Sequence, residues 1–294
     1  MTNAAVVRTT PAKRSRLLKG AGQERINKLL VYLLFIVLSV ATIYPLVWVA
    51  TNSLKTDVQL YDNSWSLPKE WHWENYAKAW KFGIAKYVVN SAIVTAASVM
   101  INILISLMAA YALARFQFKG RNLLLYFILG GIMLAPEVSL IPLFRILSKA
   151  GLYNTYWAMI LPNVAFGIPF TTFLVRSYML GLPRDYEEAA VIDGASSFGV
   201  FWRIVIPLCR PIIASAMLLD AMRVWNEFMF ALTFVTNDKI KTVPIGLMAF
   251  SGALREQWTV VMAGLILSAI PMIVLFLLTQ RQFIRGLAAG GIKG

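Results

Sequence analysis

Six stretches of this 294-residue chain are apolar for about twenty residues or more: 29–51, 87–114, 123–143, 156–179, 212–234 and 259–278. A helix rises about 1.5 Å per residue, so each run matches the ~30 Å hydrocarbon core of a bilayer. In hydrocarbon every backbone N–H and C=O must pair within its own segment, which makes each run a helix. The expected fold is therefore all-α, a polytopic membrane protein with six transmembrane helices. It divides into a basic tail (1–28), a six-span domain (29–280) and a short C-terminal tail (281–294). Hydrophobic residues make up 59% of the chain and charged ones only 14%, where soluble domains carry about 25% charge. The first run is too long for a signal-peptide core and no small-residue cleavage site follows it, so it reads as a retained span.

The formal net charge is +14. Its basic residues flank apolar runs and form no separate domain, which points to anionic lipid as the partner and excludes nucleic acid. The link after the second run carries Arg115, Lys119 and Arg121 and no acid. Six spans put both ends on one side. The N-terminal tail, that basic link, a polar loop at 183–211 and the C-terminal tail share a side and hold most of the Lys and Arg. The positive-inside rule makes that side cytoplasmic, both termini included. The opposite side receives a tryptophan-rich segment, 52–86, with Trp65, Trp71, Trp73 and Trp80. These rings read as an interfacial belt, with a platform for an external partner as the alternative.

Catalytic chemistry is not expected. One cysteine, Cys209, and one histidine, His72, exclude an internal disulfide and argue against a zinc site or a Cys–His nucleophile. The terminal GLAAGGIKG fails as a phosphate loop: Ile292 separates Gly291 from Lys293, and no Ser or Thr follows.

The loop 183–211, PRDYEEAAVIDGASSFGVFWRIVIPLCRP, is both polar and locally well specified. Asp185 is placed as an N-cap, with Glu188 three residues on to complete a capping box. Gly194 is placed to stop that helix. Ser196 or Ser197 can cap a second helix, which Pro207 limits. In the second helix Phe198, Phe201, Trp202 and Val205 predict one apolar face suited to a membrane surface. The first helix sets the Glu188 carboxylate beside small Ala189 and Ala190, a knob suited to docking in a cleft lined by arginine.

These residues resemble a known signature. Glu188-Ala189-Ala190, then Gly194, then Ile204-Val205-Ile206-Pro207 after nine residues, is similar to the EAA motif of binding-protein-dependent ABC importer permeases, with Ile206 in place of the usual leucine. Residues 154–178, RVWNEFMFAL (223–232) and the glycine-rich terminus resemble carbohydrate-uptake permeases of the maltose-transporter type, in particular the smaller, six-span partner. The resemblance implies an importer with a second permease, two cytoplasmic ATPases that bind ATP-Mg, and an external solute-binding protein. It implies no cofactor on this chain, and a cytoplasmic coupling helix whose Glu188, Ala189, Ala190, Asp193, Gly194 and Ala195 enter the ATPase cleft, with Pro207 closing the motif. It also implies that Ala249, Phe250, Ser251, Gly252, Ala253 and Leu254 form a loop that probes the binding protein. Gly290, Gly291 and Lys293 would reach the ATPases.

Two polar groups inside apolar runs are candidates for a passage. In the fifth run Asp220, Arg223 and Glu227, at i, i+3 and i+7, predict one helix face, with Asn226 beside it. Ionisable groups in a span face inward and pair, so the face is either a lining or gate, or a packing ion pair of Arg223 with Asp220 or Glu227. In the third run Glu137, next to Pro136, must face protein or water. An ion-coupled carrier using Glu137, Asp220 and Glu227, or a membrane scaffold whose loop binds a regulator, are the rival readings.

Overall fold

The structure is a computed structural model that describes residues 11–254 and 257–291, with side chains described from 27 to 254 and from 257 to 283. Helix α1 (Pro11–Asn52) carries the first apolar run and extends back into the basic tail. Its apolar part is exposed from 27 to 47, and only its end is covered, with Asn52 fully buried. The tryptophan-rich segment folds into α2 (Asp57–Asp62), whose first turn is capped by Thr56 Oγ1 accepting from Gln59 N, and α3 (Glu74–Ala79). A π turn over Trp80–Ile84 leads into α4 (Ala85–Arg115).

The third run is broken. Helix α5 (Arg121–Gly130) and α6 (Leu140–Lys149) are joined by two 3-10 turns, and the two halves are bent by 96°. Pro136 has no N–H and forces Ala135 into an extended conformation, which ends the helix before it. The fourth run is the continuous α7 (Tyr156–Leu180).

The loop 183–211 forms α8 (Asp185–Ile192), α9 (Ser197–Val200), a π turn over Phe201–Val205, and α10 (Ile206–Leu208). A 76° bend then opens α11 (Arg210–Trp225). The fifth run is also interrupted: α11 stops at Trp225 and α12 (Met229–Phe234) follows. The Glu227 carboxylate causes the restart by accepting from the N–H groups of Phe230 (2.6 Å) and Ala231 (3.2 Å), a cap for the new helix. The segment 237–258 contains α13 (Val243–Ala253). The last run lies in α14 (Trp258–Gly291). Four helices among the described residues are long and apolar enough to cross a membrane, or up to six if each of the two bent pairs is one span.

The core is built on α4. It packs along α7, while α11 lies against both and α14 against α11. Ser98, Asn102, Ser106 and Ala110 recur every four residues on α4 and are fully buried. Lipid is as apolar as leucine, so helices in a membrane associate through small residues and shared hydrogen bonds, and this stripe supplies both. On α7, Gly167 answers it. A Cβ there would lie 2.4 Å from Asn102 Nδ2 and 2.9 Å from Arg223 Nη2.

Candidate functional site

Two clusters of sequence-predicted residues form sites. The first is the polar hairpin. The expected capping box is absent: Asp185 is already the first helical residue, and Arg184, the residue before it, caps with its backbone alone, its carbonyl accepting from Glu187 and Glu188. Asp185, Glu187 and Glu188 all sit in the first turn of α8, where the helix dipole favours carboxylates. Gly194 ends the helix as expected. It stands at φ +84°, with Gly194 N donating to Val191 O and Ala195 N to Ala190 O. That is a Schellman stop, and it needs a residue that tolerates the left-handed region. Ser196, not Ser197, caps α9 by accepting from Gly199 N at 3.2 Å.

The predicted single apolar face of the second helix does not form. Phe201 and Val205 are buried in the core, whereas Phe198 and Trp202 are exposed. The π turn widens the helix there, so residues spaced for a 3.6-residue turn no longer share a side. The second helix runs one residue past Pro207, to Leu208, and the chain turns at Cys209.

On α8 the side chains divide into anchoring and free groups. Ala190 and, beyond the stop, Ala195 pack on the core that α4, α7 and α11 share with Val200, Phe201 and Val205 of the hairpin. Glu188, Ala189 and Asp193 are exposed, and so are Tyr186, Val191 and Ile192, the last at 85%. Glu187, which the sequence did not single out, is the anchor: its carboxylate meets Arg115 at 2.6 Å, with both side chains largely buried. Beneath the hairpin lies a cavity of about 410 Å³, lined in part by Tyr111, Arg115, Arg184, Glu187 and Glu188.

The second cluster is the broken middle of the bundle. Asp220 is the ion-pair partner of Arg223, at 2.7 Å. Glu227 is not on the same helix face, because α11 ends before it, and its carboxylate is engaged as the cap of α12. Arg223 also donates to Asn163 Oδ1 (3.1 Å) and to the Asn163 carbonyl (2.6 Å) on α7. Asn102 on α4 donates to Asp220 Oδ2 (2.8 Å) and to Thr171 Oγ1 (3.1 Å), and Ser106 donates to Asn102 Oδ1. One carboxylate therefore holds a guanidinium with groups from three helices. Asn102 and Ser106 were detectable in sequence as polar residues one helical turn apart in an apolar run.

Both helix breaks open on the same space. A cavity of about 420 Å³ is lined by Glu137 and Pro136 from the first break, Asn226 and Glu227 from the second, Arg223, and the rings of Phe166 and Phe170. Glu137 is exposed, as a carboxyl facing this space must be. Asp220 stays buried behind Arg223 and does not line it. Volume and lining fit a small polar solute held by a few directed hydrogen bonds against aromatic faces.

Residues 249–254 end α13 and do not form a free loop. Phe250 is buried against Phe82, and Leu254 is also buried, while Gly252 and Ala253 are exposed. Gly290 and Gly291 are the last residues of α14, and Lys293 lies outside the described residues.

Residues 102–287 match the model of the family described as binding-protein-dependent transport system inner membrane component. The chain belongs to that family. The permease is 50% identical over 255 residues to YurM of Bacillus subtilis, described as a probable ABC transporter permease protein, covering 87% of this chain and 85% of that one. It is 35% identical over 277 residues to MalG of Thermococcus litoralis, a trehalose/maltose transport system permease protein, covering 92% and 99%. Its fold resembles a chain of a bacterial ABC transporter that imports the acidic polysaccharide alginate, with TM-score 0.76 and 22% identity over 89% of this chain and 98% of that one. The permease is thus a multi-pass component of the inner membrane in a binding-protein-dependent ABC importer. Such a component is not an enzyme, and ATP hydrolysis resides on separate subunits.

Proposed function

We propose that this permease pairs with a second, different permease to form the passage of a carbohydrate importer, and that an oligosaccharide is its solute. Two copies of an ATPase, carrying ATP-Mg, dock from the cytoplasm on α8, and the solute-binding protein docks from outside. Both termini lie in the cytoplasm. The observation that carries the reading is the division of α8: Glu187 is tied down, while Glu188, Val191 and Ile192 are left free on one short helix. A carboxylate beside small and apolar groups fits a cleft with an arginine in it. ATP closes the ATPases, and their movement is carried through α8 to the bundle. ATP must favour one state by differential contact, and Glu188 is the group placed to make it.

The carbohydrate class is supported by the named function of the Thermococcus relative and by the chemistry of the central cavity. Phe166 and Phe170 offer faces to sugar rings, and Arg223, Asn226, Glu227 and Glu137 offer donors and acceptors to hydroxyls.

The test is a gentle detergent pull-down of the full chain from its native membrane, with mass spectrometry of what accompanies it. A second permease and an ATPase are expected, with the ATPase lost on Glu188→Ala. Recovery of the chain alone, or undiminished ATPase and uptake with Glu188→Ala, overturns the assignment.

A further inference from the structure

The Arg115–Glu187 pair has a place in the fold that the docking role of α8 does not require. Glu187 is on α8 and Arg115 closes the last turn of α4, so the 2.6 Å contact ties the hairpin to the helix at the centre of the bundle. Among the described residues it is the one polar side-chain contact between α8 and a membrane helix. Arg115 also donates to the Leu182 carbonyl in the link before α8, at 3.4 Å. The same end of α4 is braced from two other sides. Arg121 and Arg176 both donate to the Leu113 carbonyl, at 2.9 and 3.3 Å. Cations at a helix C-terminus are favoured by its dipole, so this end is held as a unit. Further along the same unbroken helix, about 20 Å away at ~1.5 Å per residue, Asn102 grips Asp220, the carboxylate that holds Arg223 at the cavity. Helix α4 therefore has one polar grip on the docking helix and another on the charged group of the passage.

We propose that Arg115 and Glu187 are a positioning pair through which displacement of α8 is passed to α4, and from α4 through Asn102 to the Asp220–Arg223 group. This rests on the importer reading. Ala190 and Ala195, and beyond them the buried Val200, Phe201 and Val205, also hold the hairpin to the bundle, but through apolar contact that resists separation more than sliding. A buried, directed ion pair resists both, because displacing either charge leaves the other buried and unpaired. Removing one partner should leave the ATPase docked while weakening the response of the cavity to it.

The test uses the whole complex in proteoliposomes and needs no knowledge of the solute. Phe170→Cys places a thiol in the cavity, and the native Cys209 is buried. Its labelling by a membrane-impermeant maleimide is measured with and without ATP and Mg, normalised to the amount of complex containing ATPase. With Arg115 and Glu187 present, ATP is expected to change the labelling rate about fivefold or more. Arg115→Gln or Glu187→Gln should cut that change to below about twofold although the ATPase still co-purifies. The exchange Arg115→Glu with Glu187→Arg should restore a larger part of it, as should the conservative Arg115→Lys. A full ATP response in either single variant overturns the proposal, and so does failure of both the exchange and the conservative variant to recover any of it. If no ATPase accompanies the unchanged chain, the importer reading itself fails and this inference with it.

Discussion

Asn102 of α4 donates a 2.8 Å hydrogen bond to Asp220 of α11, and Asp220 in turn holds Arg223 at 2.7 Å. The carboxylate is buried, while the guanidinium is partly open to the cavity. The acid is thus a support and the base is the group presented. Replacing Asp220 by Ala should cost about 1–3 kcal/mol, because it takes the buried acceptor from Asn102 and the counter-charge from the partly open Arg223. Asp220→Asn keeps an acceptor for Arg223 but sets an amide N–H against the donating Asn102 amide, so it should retain part of that stability and cost less. Thermal unfolding of the purified complex in detergent decides this, and equal midpoints for the two variants would contradict it.

Gly167 is the residue that lets Asn102 and Arg223 approach α7. A Cβ added there overlaps the Asn102 amide. The expected cost is that of overpacking, about 1–3 kcal/mol, with uptake falling in parallel because Arg223 must move. Unchanged stability and uptake for Gly167→Val would show that the network relaxes without penalty.

At the hairpin, Gly194 has nothing within 4 Å of an added Cβ, so Gly194→Ala isolates backbone conformation from packing. Holding alanine at φ +84° should cost about 1–2 kcal/mol. That penalty falls on the end of α8 alone. The amount of chain in the membrane should stay normal while the fraction that retains the ATPase through purification drops several-fold.

Ile192 is the most exposed apolar side chain of α8. Substitution at an exposed site should leave the permease itself within about 0.5 kcal/mol. If Ile192 sits in the ATPase cleft, Ile192→Asp should weaken ATPase retention by about tenfold or more, the scale of an interface residue that matters. Titration of detergent-solubilised permease with its ATPase measures it, and an unaltered affinity would move the interface away from this face.

Much of the hairpin could be read from its residues. Gly194 and Ser196 act on their own backbone neighbours, and that chemistry is visible at a distance of a few positions. The capping box at Asp185 and Glu188 was misread because Arg184 takes the cap position, which shifts the register by one. The apolar face at Phe198, Phe201, Trp202 and Val205 was misread because a π turn is not encoded in apolar spacing. Glu187 escaped notice because its partner, Arg115, is distant in sequence and looked like one more basic residue beside a span.

By itself the sequence determined the class of the molecule. Apolar runs of bilayer length leave the backbone no option but helix, and a local motif with several fixed spacings marked out the polar hairpin. Only the tertiary structure decided where those helices break and what the breaks surround. Pro136 and Glu227 interrupt two runs that hydropathy reads as continuous, because one proline or one capping carboxylate does not change the mean polarity of twenty residues. The choice of Asp220 over Glu227 as the partner of Arg223 was likewise settled by packing. Asn102 and Asn163 lie on other helices, and only their approach in space, close at Gly167, gives Asp220 a bond from Asn102 and Arg223 its bonds to Asn163.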